Sequence, residues 1–119
     1  MRTCLGALCL MLGLVGVGCS EGIPPIDQLA QTQGAIRAAE EAGADHEPQG
    51  QLHIKLAHEQ LDRAKAEMDR DNNDQAARLL SRSSADAEVA RAYARKQTSQ
   101  LAVDEAQKQV DKVKAPASK

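Results

Sequence analysis

The apolar positions of the chain fall into four runs. The first is short and nearly continuous: Leu5, Ala7, Leu8, Leu10, Met11, Leu12, Leu14, Val15 and Val17, broken by glycines and preceded by Arg2. It falls short of the about twenty residues a spanning helix needs and has the proportions of a secretory leader's apolar stretch. The second run follows Pro24-Pro25. Ile26, Leu29, Ile36 and Ala39 recur at helical spacing with Ala30 and Ala42 alongside, and Gly43 is a natural stop. Gly34 weakens this helix by up to about 1 kcal/mol relative to Ala. After a connection over 44–50, Ile54, Ala57, Leu61, Ala64 and Met68 form a heptad seam flanked by Leu52 and Leu56. Asp69-Arg70-Asp71-Asn72-Asn73-Asp74 interrupts it, and its Asx residues favour turns and helix caps. The fourth run, Ala76, Leu80, Ser83, Ala87, Ala90, Ala94, Gln97 and Leu101, continues after a phase shift near residue 102 as Val103, Ala106, Val110 and Val113. Unbroken, it makes a helix of about forty residues, about 60 Å long.

This pattern predicts an all-α fold, an antiparallel helical hairpin or an elongated three-helix array with helices over 26–43, 50–71 and 74–113. Period-two alternation is missing, so no strand is expected. The expected organisation is a signal peptide over 1–18, a tether over 19–25, an Ala-rich helical domain over 26–114 and a flexible tail over 115–119.

The leader ends in Gly16-Val17-Gly18-Cys19. Val17, Gly18 and Cys19 match a bacterial lipobox; Gly16 stands where Leu is usual. Small side chains before the cysteine let a peptidase reach the backbone, and the Cys19 thiol is the acyl acceptor. Several acyl chains, such as palmitate, at about 0.8 kcal/mol per buried methylene make a firm anchor. Cleavage here removes Cys4 and Cys9, so an acylated Cys19 leaves no free thiol for a disulfide, a nucleophile or a metal. Ser20 after the cysteine points to the outer membrane of a two-membrane envelope, on its periplasmic face. The alternative is an ordinary secretory leader with Cys19 unmodified.

The part from Cys19 onward carries 14 Lys and Arg against 17 Asp and Glu. A mildly acidic chain without a basic, aromatic-bearing stripe is not expected to bind nucleic acid. That part also has twenty alanines, one Tyr and no Phe or Trp. Alanine seams let helices approach closely, but each buries little area at about 25 cal/mol per Å². A slender array is expected, with no room for a buried small-molecule site, and with seam left over for self-association or an envelope partner. Tyr93 beside Ala90 and Ala94 is expected to pack with its hydroxyl in water. The sharper reading makes Tyr93 an interface anchor, with Leu101 further along the same helix.

The stretch Gly34–Arg95 resembles a family of small bacterial envelope proteins catalogued as domain of unknown function 4398. The residues that carry the likeness are Ala35-Ile36-Arg37-Ala38-Ala39-Glu40-Glu41-Ala42-Gly43-Ala44, then Leu56-Ala57 with Leu61, Ala64 and Lys65. Ala76-Ala77-Arg78-Leu79-Leu80, Ala85-Asp86-Ala87-Glu88 and Ala90-Arg91-Ala92 follow a polar turn. The resemblance implies a periplasmic helical hairpin behind a lipoprotein signal and implies no activity. The segment from Gln97 onward lies outside it.

Catalytic and metal chemistry find little support. Asp69-x-Asp71-x-Asn73 opens like a calcium loop, but Asp74 stands where that loop needs Gly, and Leu80 where it needs a bidentate Glu. His53 and His58 are five apart, not the four that put two ligands on one helix face, and His46, His53 and His58 are expected on solvated faces. There is no phosphate loop and no nucleophile elbow. No enzyme activity, cofactor or metal is expected. The expected role is a lipid-anchored structural or protein-interaction module of the cell envelope. Two alternatives stand beside it: peptidoglycan tethering through Lys119, and a carrier of hydrophobic ligands between the Ala-rich helices.

Overall fold

A computed structural model describes residues 22–115. Three helices make up the array: α1 over Ile26–Glu41, α2 over Pro48–Met68 and α3 over Asn73–Lys114. A single 3-10 turn, Ala44–His46, lies between α1 and α2. Side-chain pairs fix the directions. Gln28 and Thr32 of α1 reach Ala77, Ser81 and Leu80 of α3, while Ala39 near the other end of α1 packs with Ala90 and Ala94. So α1 runs parallel to α3. Ile54 packs by Ala90, and Ser83 bonds to Ala57. So α2 runs antiparallel to both.

The three-helix array is therefore the outcome, with boundaries that differ at both ends of α2. Pro48 and Gln49, expected in the connection, are helical, because proline's fixed φ and missing N–H suit the first helical position. Glu47 caps this end, its carboxylate accepting from the Gly50 amide at 2.5 Å. Gly50 is buried against Ala44, whose carbonyl occupies the place of any Cβ at 50. The 3-10 turn folds onto α2 through that close approach. α1 stops at Glu41 rather than 43, and Gly43 takes a left-handed φ of 85° to turn the chain.

α2 ends at Met68, three residues before the expected boundary. Asp71 adopts φ 60°. The Asn72 amide donates to the Glu67 carbonyl and the Asp71 amide to the Met68 carbonyl. These two bonds make a Schellman ending, which the Asx-rich composition of the turn allows without glycine.

The core is a thin double seam. Ile54, Ala57, Leu61 and Ala64 of α2 are buried against Ala76, Leu79, Leu80, Ser83, Ala87, Ala90 and Ala94 of α3, with Thr32, Ile36 and Ala39 of α1 closing the third side. Because alanine brings backbones close, short hydroxyl side chains span the gap. Ser83 Oγ donates to the Ala57 carbonyl at 2.7 Å. The Thr32 hydroxyl donates to Gln28 of its own helix and lies 3.3 Å from the Leu80 carbonyl. The Ser83–Ala57 bond ties α2 to α3, and the Thr32–Leu80 contact ties α1 to α3, along an otherwise nearly featureless seam.

Candidate functional site

α3 outlasts its neighbours. Ala94 is 1% exposed and is the last buried residue of the helix. From Arg95 onward every position is exposed, so the twenty residues Arg95–Lys114 form an arm of about 30 Å. The bundle ends there because α1 and the start of α2 meet at the 3-10 turn, which packs beside Ala94. The arm stays helical by propagation from the packed half, where the cost of nucleation is already met. Gln100 bonds to Asp104 and Gln107 to Asp111 at i,i+4 spacing, and Lys112 and Lys114 oppose the helix dipole at its end.

Tyr93 stands at the root of the arm, half-buried, with its ring stacked on His53 of α2 at a centroid distance of 5.9 Å and an interplanar angle of 16°. His53 Nδ1 pairs with Asp86 Oδ1 at 2.8 Å, and the Gln60 amide donates to Asp86 Oδ2 at 2.6 Å. This corrects the expectation that all three histidines are solvated. His46 and His58 are exposed, but His53 is half-buried. Both Asp86 oxygens are engaged and the imidazole face is covered by Tyr93, so the group ties α2 to α3. His53 and Gln60 are seven apart on α2, and Asp86 and Tyr93 are seven apart on α3. That repeat is visible in the sequence, but the pairing depends on the register between the helices.

Beyond Tyr93, a shallow hollow is lined by Glu47, Pro48, Gln49, Lys96 and Gln97. Leu101 follows two turns on, 62% exposed. The structure thus puts Tyr93 and Leu101 on one continuous helix, one at the root and one on the free arm, and does not bring them into a shared pocket. The hollow between α1 and α3 is an open groove walled by Gln28, Gln31, Ser81 and Glu88. Among the described residues no group of three His, Cys, Asp or Glu is placed to hold a metal, and no helix is long and apolar enough to cross a membrane.

At the opposite end of the bundle, Asn73 Nδ2 donates to the Gly22 carbonyl, and Gly22 lies against Asp74. Gly22 therefore sits at the start of α3, and the arm leaves from the other end. Cys19, the leader and Lys119 lie outside the described residues.

No curated protein and no solved structure matches the chain. One family model does, over residues 27–115, and it takes in the arm that the resemblance at 34–95 had left out. That resemblance rests on alanine spacing, whereas the arm is built from Val, Gln and Lys. The match covers three helices from the start of α1 to the end of α3, and the chain belongs to the family described as a domain of unknown function, DUF4398.

Proposed function

We propose that this protein is a lipid-anchored, non-catalytic module of the cell envelope, held at the periplasmic face of the outer membrane by acylated Cys19 and binding its partner through the arm of α3. The observation that carries the reading is the arm itself. Twenty helical residues extend past the last buried position with Leu101, Val103, Val110 and Val113 open to solvent. Exposed apolar side chains spread along a rigid helix are suited to a surface that covers them. The tether supports the anchoring half of the reading, because it enters at the end of the bundle from which the arm points away.

Mass spectrometry of the mature N-terminus tests the anchor: the expected species begins at Cys19 and carries the mass of its acyl chains, and an unacylated peptide removes it. A photo-crosslinking residue at Leu101, introduced in the native envelope, tests the arm. A discrete adduct is expected at 101, and none when the same residue replaces exposed Arg63 on α2. Equal labelling at both positions counts against the arm as the binding surface.

A further inference from the structure

We infer that α3 pairs with the α3 of a second copy of this chain, in parallel and in register, through a stripe on its free side. Ala85, Val89, Ala92, Lys96, Ser99, Val103, Ala106, Val110 and Val113 follow one another in alternating steps of four and three residues. All are exposed. At 3.6 residues per turn, Ala85 lies about 200° around the helix from buried Ser83, so the stripe runs outside the buried seam. Ala85 edges the groove beside α1 and Lys96 the hollow beside Pro48, and from Ser99 onward the stripe is clear of both neighbours. It starts on the packed half of α3 and runs without a break to the end of the arm.

The periodicity identifies the kind of occupant. A strict 3.5-residue repeat keeps a narrow seam facing another helix along its whole length, whereas a helix lying on lipid presents a broader apolar arc. Among the described residues the other two long helices, α1 and α2, are already used in the bundle, and the occupant we assign is α3 of a second copy. Taking Val89, Lys96, Val103 and Val110 as one core position and Ala85, Ala92, Ser99, Ala106 and Val113 as the other puts β-branched residues where two-stranded parallel pairs favour them. Lys96 is the single charged interruption, a device that fixes register at a cost in stability. In-register parallel pairing sets Glu88 toward the partner's Tyr93, Arg95 toward its Gln100 and Gln109 toward its Lys114, so these flanking pairs set no like charges against each other.

The direction of pairing rests on the anchor reading above. Gly22 is held at the start of α3, and Cys19 precedes it by three residues, a reach of about 10 Å. Two copies anchored in one leaflet therefore stand with their α3 helices pointing the same way.

The test uses the full chain, expressed with its leader in bacterial membranes and mildly oxidised. Val103→Cys and Val110→Cys are each expected to form disulfide-linked dimers, at least tenfold more than Lys108→Cys on the far side of the arm. Co-expressed Val103→Cys and Val110→Cys chains are expected to give like-with-like dimers only. Absence of both homodimers overturns the proposal. A mixed disulfide between Ala92→Cys and Val110→Cys chains without a 103–103 link also overturns it, since that is the antiparallel arrangement. The unsubstituted chain separates the two readings: a Cys19–Cys19 dimer there shows a free thiol and removes the anchor, whatever happens at 103 and 110. Lys96→Val is expected to tighten the dimer about tenfold in sedimentation; no change overturns the assignment of Lys96 to the seam.

Discussion

The two halves of α3 are one helix with two fates. From Ala76 to Ala94 its seam is buried, and from Gln97 onward the same rhythm continues in water. Ala94 is 1% exposed and Leu101, seven residues later and on the same side, is 62% exposed, although leucine is much the more apolar of the two. Hydrophobicity does not decide which is covered. The decision lies with the neighbours: α1 ends at Glu41, α2 begins at Pro48, and among the described residues nothing but α3 extends past the turn that joins them. In a core of this kind, length is as important as pattern.

That contrast can be broken most sharply at its two leucines. Leu80→Ala, which empties a fully buried site, is expected to cost about 2–5 kcal/mol in urea unfolding. Leu101→Ala in the monomeric chain is expected to stay within about 0.5 kcal/mol. A Leu101 cost approaching that of Leu80 would mean that the arm is packed after all. The next effect bears on where the bundle ends. Gly50→Ala forces a methyl group against the Ala44 carbonyl, and is expected to cost about 1–3 kcal/mol by the same measurement. A neutral result would show that the 3-10 turn does not close the bundle at Ala94. The smallest effects form a mirrored pair. Gly34 has open space around its would-be Cβ and no positive φ, so Gly34→Ala is expected to raise stability by about 0.5–1 kcal/mol. Ala102→Gly changes helix propensity by the same amount in reverse. It is expected to lower far-ultraviolet helicity while leaving the urea midpoint unmoved, because the arm frays locally. A shifted midpoint would couple the arm to the bundle.

Much of the fold was legible because period alone places a helical seam. Ile54, Ala57, Leu61 and Ala64, and the positions from Ala76 to Ala94, were read from spacing and are buried. What escaped depends on contacts between elements. Thr32 and Asn73 are buried through hydrogen bonds to other segments, and Gly50 through a backbone approach, and none of the three is apolar in the way a seam advertises. Pro48 falls in the connection expected over 44–50, though proline also starts helices. At the candidate site, Tyr93 was placed beside the seam, but its stacking on His53 and the link through Asp86 needed the axial register of α2 against α3. That register is marked by the bond from the Ser83 hydroxyl to the Ala57 carbonyl; both residues show in the seam spacing, but their pairing does not. The arm and its leftover seam are legible in the spacing; the point where cover stops, at Ala94, is not, since a heptad does not say where its partner ends.

The parallel course of α1 and α3 has a mechanical consequence. The chain enters the bundle beside Asn73 and leaves it past Ala94, so a pull between its two ends acts along the helix axes. Such a load shears α1 against α3. It strains the bonds of Gln28 to Ala77 and Ser81, and the Thr32–Leu80 contact, together. A hairpin whose ends lay side by side would instead be peeled apart one contact at a time. This topology gives a molecule with a slight alanine core a way to carry tension along its length.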